Sequence, residues 1–429
     1  MTIEELYQCF LQCDGVSIDT RNITPNSLFF ALKGDNFDAN TLAQQALDNG
    51  ASFVVMDNKK LQSNPDKMFW YADALMALQE LAKYHRQQLG LPIIALTGSN
   101  GKTTTKELIL TVLSQKYQVR GTQGNLNNHI GVPLTLLSFD EDTDIGVVEM
   151  GANHLGEISH LCELTDPDFG YITNFGKAHL EGFGSFEGVV KAKGELYDYL
   201  ENNYKLAFAN TDDALQDAKT MTFARYTFGT DEQSDLIIQK YDAQPMASIT
   251  VDNNVFQSQL TGIYNATNIA AAVAIGNYFK VPLEACRTAI SQYLPTNNRS
   301  QWIEKNERKI LLDAYNANPS SMEAALDNFL QLETQHAKTL FLGDMFELGT
   351  ESSAEHLAVI NRLKNTEKLT TFYIGKHFFE HKTTAQNTFF FEDYDTFAQA
   401  FKANPPLEKG LVLIKGSRGM ALERILELL

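Results

Sequence analysis

Ile93-Ile94-Ala95-Leu96-Thr97-Gly98-Ser99-Asn100-Gly101-Lys102-Thr103-Thr104-Thr105 passes from an apolar run into a glycine-bearing turn and then into a segment whose Leu108, Ile109, Val112 and Leu113 recur at helical spacing. A strand, a small-residue turn and a helix in that order make a cradle for a triphosphate. Small residues let backbone N–H groups approach phosphate oxygens, and the helix start adds the positive end of its dipole. Gly98, Ser99, Asn100, Gly101 and Thr104 are the expected loop contacts. Lys102 is placed to pair with the β- and γ-phosphates and the Thr103 hydroxyl to ligate magnesium. The longer G-x-x-x-x-G-K-[ST] pattern wants glycine at position 96, where this chain has Leu96, so the shorter G-x-x-G-K-T form remains. The competing reading is an ordinary glycine turn before a helix that happens to carry Lys-Thr. ATP with magnesium is the expected ligand.

A magnesium nucleotide site needs more oxygen ligands, usually from the end of a neighbouring strand. The run over 144–149 ends in Glu149, and a carboxylate at a strand's carboxyl end points into the crevice where α/β proteins bind ligands. Taken alone, His179 reads as a hydrogen-bonded loop histidine and Lys193 as one position on a helix face.

Outward from this loop, strand-like runs alternate with helical stretches. Runs over 144–149, 169–174 and 206–210 imply a mostly parallel sheet with helices on both faces. Runs over 236–238, 247–251 and 255–257, the last two joined by Asp252-Asn253-Asn254, read as an antiparallel addition at its edge. Before the loop, runs over 27–32 and 51–56 flank a helical segment over 41–47, and a helix capped by Asp73 leads to Gly90-Leu91-Pro92. After it, runs over 309–313, 339–342, 371–374 and 411–414 alternate with helices near 321–332, 353–363 and 420–428. The fold class is therefore α/β in three units, over residues 1–89, 90–297 and 298–429. At 429 residues the chain is longer than one core usually serves.

Composition narrows the function. Lysine and arginine total 35 against 53 aspartates and glutamates, a net −18 that a duplex or an anionic membrane would repel. No nucleic-acid partner and no membrane insertion are expected, because no basic patch stands out and no apolar run nears the ~20 residues of a span. The first residues, Met1-Thr2-Ile3-Glu4-Glu5, carry acids where a signal peptide would carry bases. Cys9, Cys13, Cys162 and Cys286 are scattered, as in a cytoplasmic protein with reduced thiols.

Several further segments resemble the Mur ligase family of ATP-dependent amide-forming enzymes. In the first unit these are Ser17-Ile18-Asp19-Thr20-Arg21 and Leu28-Phe29-Phe30-Ala31-Leu32-Lys33-Gly34. In the second they are the phosphate loop, Gly124-Asn125-Leu126-Asn127-Asn128-His129-Ile130-Gly131-Val132-Pro133, Glu149-Met150-Gly151-Ala152-Asn153-His154 and Ala178-His179-Leu180-Glu181-Gly182. In the third they are Tyr315-Asn316-Ala317-Asn318-Pro319, Leu342-Gly343-Asp344-Met345-Phe346-Glu347-Leu348-Gly349 and Lys415-Gly416-Ser417-Arg418-Gly419-Met420. The resemblance spans nearly the whole chain, and the segments of the third unit are those of the family member that adds a D-alanyl-D-alanine dipeptide.

The resemblance implies a three-domain ligase with a central P-loop domain and a Rossmann-like C-terminal domain. Its substrates are ATP, a UDP-N-acetylmuramoyl-tripeptide and D-alanyl-D-alanine, joined through an acyl phosphate as the last cytoplasmic step toward the peptidoglycan precursor. It implies His179 as a ligand of a second magnesium and Lys193 as a carbamylated lysine. It implies Asn268 at the adenine, and Arg299, Asp313 and Tyr315 at the γ-phosphate, ribose and base. Ser17, Asp19, Thr20, Arg21 and Gly34 match the UDP-binding region, and Asn125, Asn127, Asn128, Asn316, Asn318, Ser417 and Arg418 match contacts to the peptide and dipeptide. A monomer is implied, with hinges near 90–91 and 294–298 for closure. Three positions depart from the family's pattern: Tyr264 where histidine is usual, Asn298 where glycine precedes Arg299, and Ala314 where a polar residue is common. The alternatives are a sister ligase or a folylpolyglutamate-type ligase, a P-loop kinase or regulatory NTPase, and an ATP-binding module without catalysis.

Overall fold

Ile93–Thr97 is wholly buried and forms a central strand of a seven-stranded sheet. Its side chains alternate: Ile93 and Ala95 face one core, Ile94 and Leu96 the other. A strand buried on both sides needs this near-continuous apolar run, which explains why it stands out in the sequence. The structure, a computed structural model, describes residues 1–295, 298–364, 366–403 and 409–429.

The sheet is parallel throughout. Its order is Leu236–Ile237, Arg225–Gly229, Leu206–Asn210, Phe169–Ile172, Ile93–Thr97, Ile145–Glu149 and Val119–Gly121. Register pairs Thr97 with Ile172 and Leu96 with Glu149, so the carboxyl ends of three strands finish side by side. The helices Lys102–Leu113 and Ile263–Tyr278 cover one face, and Glu157–Thr165 with Phe186–Asn202 cover the other.

Residues before Gly90 form a four-stranded parallel sheet, ordered Val16–Ser17, Leu28–Phe30, Phe53–Met56 and Met68–Trp70. Asp73 caps the helix Ala74–Leu89 by accepting from the Met76 amide at 2.9 Å, and Gly90 ends it at φ +60°. The short strands over 16–17 and 68–70 and the helix Ile3–Phe10 have no counterpart in the sequence reading. The segment expected as one helix over 41–47 is a 3-10 turn, Ala39–Leu42, running into the helix Ala43–Asp48.

A third sheet has six strands, ordered Gln301–Lys305, Arg308–Asp313, Gly410–Lys415, Ala337–Gly343, Leu369–Ile374 and Thr388–Phe391, with only the first antiparallel to its neighbour. The proposed division at 297/298 and part of the hinge near 294–298 fall on residues 296–297, outside the described residues.

Two expectations are corrected. Leu236–Ile237 extends the main sheet in parallel, while Lys240–Asp242, Ser248–Val251 and Asn254–Gln257 make a separate antiparallel sheet. Asp252 and Asn253, both at positive φ, turn the last two strands back on each other, as a tight hairpin requires. The helix expected over 420–428 is instead two 3-10 turns, Arg418–Met420 and Leu422–Glu427, because Ala421 between them adopts φ +47° and interrupts the α-helix.

The phosphate loop is packed to its limit. Gly98 sits at φ +144°, and a Cβ there would lie 2.0 Å from Thr173 Oγ1. Gly98→Ala adds backbone strain to this collision, so it should lower stability by about 2 kcal/mol. Urea unfolding followed by far-UV dichroism checks this; an unchanged midpoint would show that the loop has slack.

Candidate active site

The carboxyl ends of the central strands open into a cavity of about 1220 Å³. Ser99, Asn100, Gly101, Lys102, Thr103 and Thr104 form one wall. Their backbone is tied to the end of the neighbouring strand: the Ser99 amide donates to the Asn174 carbonyl (3.1 Å) and the Asn100 amide to Asn174 Oδ1 (3.1 Å). The Thr173 hydroxyl donates to the Asn100 carbonyl at 2.6 Å. Lys102 folds back so that its Nζ donates to the Gly98 carbonyl at 2.7 Å. Burial pushes the Lys102 ammonium below the ordinary lysine range, partly opposed by Glu149.

Glu149 is buried at 2% exposure. Its Oε1 accepts from Asn127 Nδ2 at 2.8 Å, while its Oε2 is buried without a hydrogen-bond partner. A buried carboxylate oxygen left unpaired is costly, and a hard cation would satisfy it. Thr103 is buried in the same cavity. These oxygen donors therefore fit magnesium. Among the described residues no three His, Cys, Asp or Glu side chains gather as a metal group. His179 lines the cavity at φ +51°, with Nδ1 2.5 Å from Glu347 Oε2 of the third unit. Lys193 lies behind the wall, 1% exposed, where its Nζ donates to the carbonyl of Ala152 at 3.0 Å. Burial first, and Lys102 second, push the Lys193 amine well below its usual range.

The opposite wall comes from the third unit. Arg299, Asp313, Tyr315, Asn316 and Asn318 line the same cavity as the phosphate loop, as does Asn268 of the central unit. The Arg299 guanidinium stacks 3.5 Å above the Tyr315 ring. Asn298 adopts φ +57°, a left-handed conformation that glycine takes freely and that asparagine tolerates better than most residues, so this departure from the family's pattern keeps the backbone shape. Tyr264, the second departure, lines the cavity and pairs its hydroxyl with that of Ser300 at 3.0 Å. Buried Ala314 shows no polar role.

Asn125, Asn127 and Asn128 also line the cavity. Other expected residues lie outside it. Ser417 is buried: its hydroxyl accepts from the Phe346 amide (2.9 Å) and donates to the Ala317 carbonyl (3.3 Å), so it fastens two loops together. Arg418 is mostly exposed, 3.5 Å from Glu423 Oε1. In the first unit, Ser17 accepts from the Thr24 amide, and Asp19 caps the turn Thr20–Asn22 while pairing with the exposed Arg21 at 2.6 Å. Gly34 lies in an exposed hairpin. This unit reaches the cavity through Gln79, whose Nε2 donates to the His129 carbonyl at 2.9 Å.

Sequence reading missed Lys415, a cavity-lining lysine only 1% exposed whose Nζ donates to Asp313 Oδ2 at 2.6 Å. The signal was present: Lys415 ends a parallel strand, as Glu149 does. Lys106 was also missed. It is buried behind Glu149, its Nζ donating to the Thr122 carbonyl (2.6 Å), while the Thr122 hydroxyl accepts from the Glu149 amide.

The comparisons with known proteins agree with this geometry. Residues 12–86 match the family model for the Mur ligase family catalytic domain, 96–276 the Mur ligase middle domain and 298–418 the Mur ligase glutamate ligase domain. The UDP-N-acetylmuramoyl-tripeptide–D-alanyl-D-alanine ligase of Bacillus subtilis is 37% identical over 96% of this chain and 92% of its own. The Escherichia coli enzyme of the same name is 34% identical over 99% and 95%. Among solved structures, MurF from Acinetobacter baumannii superimposes with a TM-score of 0.85 at 28% identity, covering 99% of this chain and 98% of that one. MurF from Thermotoga maritima, in complex with ADP, gives 0.83 at 25% identity, covering 98% and 97%. With its three α/β units and its cavity built mainly from the central and third of them, the chain belongs to the Mur ligase family.

Proposed function

We propose that this chain is an ATP-dependent ligase that adds D-alanyl-D-alanine to UDP-N-acetylmuramoyl-tripeptide, acting as a cytoplasmic monomer. The observation that carries the reading is a single cavity in which the phosphate loop faces Arg299, Asp313 and Tyr315 from the third unit. Relatives carrying that activity in their names, aligned over nearly the whole chain, support it.

A carboxylate is a poor electrophile, so amide formation needs activation. In the proposed reaction the tripeptide's terminal carboxylate oxygen attacks the γ-phosphorus of ATP, releasing ADP and leaving an acyl phosphate. The dipeptide's neutral amine then attacks that carbonyl; the tetrahedral intermediate collapses, expelling phosphate, and the nitrogen loses its proton. Lys102 leaves the Gly98 carbonyl for the β- and γ-phosphates. The first amides of the helix Lys102–Leu113, not those of Ser99 and Asn100, which are spent on Asn174, hold the charge that moves between them. Arg299 serves the γ-phosphate, Asp313 the ribose, and Tyr315 and Asn268 the base. Thr103, Glu149, His179 and a carbamylated Lys193 would hold magnesium at two sites, which supplies neutralisation of phosphate charge when bound. Carbamylation suits Lys193 because only a neutral amine attacks carbon dioxide, and burial favours that form. We assign residues 1–89 to the UDP end, 90–297 to ATP and 298–429 to the dipeptide, with Ser17, Asp19, Thr20, Arg21 and Gly34 serving the first, and Asn125, Asn127, Asn128, Asn316, Ser417 and Arg418 the peptide parts.

Phosphate release should require ATP, the UDP-tripeptide and D-alanyl-D-alanine together, and Lys102→Ala should cost at least about a hundredfold in kcat. Release indifferent to the dipeptide would instead indicate a kinase or NTPase. Labelled bicarbonate should give a carbamate carbonyl NMR signal that Lys193→Ala removes; its absence from active enzyme would refute the modification. Small-angle scattering should show compaction on adding an ATP analogue with the UDP-tripeptide, as closure of the outer units on the central one requires. An unchanged radius of gyration would refute the closure.

A further inference from the structure

Asn318 matches a dipeptide contact in the sequence, yet its side chain is already engaged. It caps the helix Pro319–Gln331, with Oδ1 accepting from the Ser321 amide at 2.9 Å. Its Nδ2 donates to Asn100 Oδ1 at 2.8 Å, across 218 residues of sequence. Asn100 is the middle of the phosphate loop, and its backbone is fixed on both sides. Its amide donates to Asn174, and its carbonyl accepts from Thr173 Oγ1 and Asn174 Nδ2. A second bond runs beside the first: the Lys177 amide donates to the Ser320 hydroxyl at 2.9 Å. The first turn of the helix thus rests on the phosphate loop and on the loop leading to His179.

We infer that Asn100 and Asn318 form a positioning pair that holds the dipeptide-side helix in register with the phosphate loop, so that the state of one is felt at the other. This rests on the ligase reading above. Asn318 is only 7% exposed, and a displacement of about 1 Å takes a 2.8 Å bond beyond useful length. The bond can therefore form only when the third unit is seated. A bond that links two binding regions couples them in both directions. A substitution in the nucleotide loop should then weaken binding of the dipeptide.

The test uses the full chain with ATP, the UDP-tripeptide and D-alanyl-D-alanine, comparing wild type, Asn100→Ala, Asn318→Ser and the double variant. Serine keeps a cap acceptor at position 318 but is too short to reach Asn100. Each single change should raise the KM for the dipeptide about tenfold, and the double variant should be no worse than the weaker single. Asn100→Ala carries the inference by itself, because it leaves the helix cap untouched. A wild-type dipeptide KM in Asn100→Ala would overturn the pair and leave Asn318 as a cap or a direct contact. Multiplying effects in the double variant would also overturn it. Wild-type enzyme that makes no amide from the dipeptide would instead overturn the ligase reading, and the pair with it.

Discussion

The site depends on the attachment of one turn to one strand end. Ser99 and Asn100 spend their backbone groups on Thr173 and Asn174, and the Ser99 hydroxyl donates to the Gly176 carbonyl at 2.7 Å. The turn cannot drift from the strand Phe169–Ile172 without leaving these groups unpaired, which is costly where water is excluded. The same closeness makes Gly98 obligatory, since any Cβ would occupy the space of the Thr173 hydroxyl. A preorganised cradle follows from packing alone, before any phosphate arrives.

Parallel register carries this order outward. Because Leu96 pairs with Glu149 and Thr97 with Ile172, the loop, the buried carboxylate and the Thr173–Asn174 corner stand in one row. Glu149 is held from behind by Thr122, which Lys106 secures in turn. What remains without a hydrogen bond is the second carboxylate oxygen, Oε2, of this cavity-lining residue. A hydrogen-bonded network that leaves one acceptor open directs a cation to one place.

Legibility in the sequence followed burial and local chemistry. The strands over 93–97, 145–149 and 206–210 were plain because both faces are buried and the runs are apolar, and the Asp73 cap was plain because capping is local. Two-residue strands such as Val16–Ser17 carry no period to detect. The chain's end misled because Leu422, Ile425 and Leu429 show helical spacing and are buried, yet the left-handed Ala421 confines them to 3-10 turns. At the site, the loop and Glu149 could be read from the residues, whereas His179 and Lys193 gained meaning only through resemblance. Lys415 and the Asn100–Asn318 bond depend on how distant segments meet, which no local pattern encodes.

Charge gives the last constraint. The body carries −18, yet its proposed cosubstrate is a polyanion. Long-range attraction therefore cannot concentrate ATP here; the nearby potential has to overcome the repulsion of the whole. The cavity carries Lys102, Arg299 and Lys415 on its walls, with Lys106 and Lys193 buried nearby, against the lining carboxylates Glu149, Glu157, Asp213 and Asp313. What favours a polyanion is the placement of cations around the phosphate loop and not a net excess. Burial depresses Lys102, Lys106 and Lys193, so holding all three charged at once is costly without an anionic partner. An arriving triphosphate would relieve that cost by pairing with Lys102, and the proposed carbamylation would remove one of the crowded amines by making it anionic. Triphosphate binding and the proposed carbamylation would thereby lower the same electrostatic strain, which ties Lys193 to the charge of Lys102.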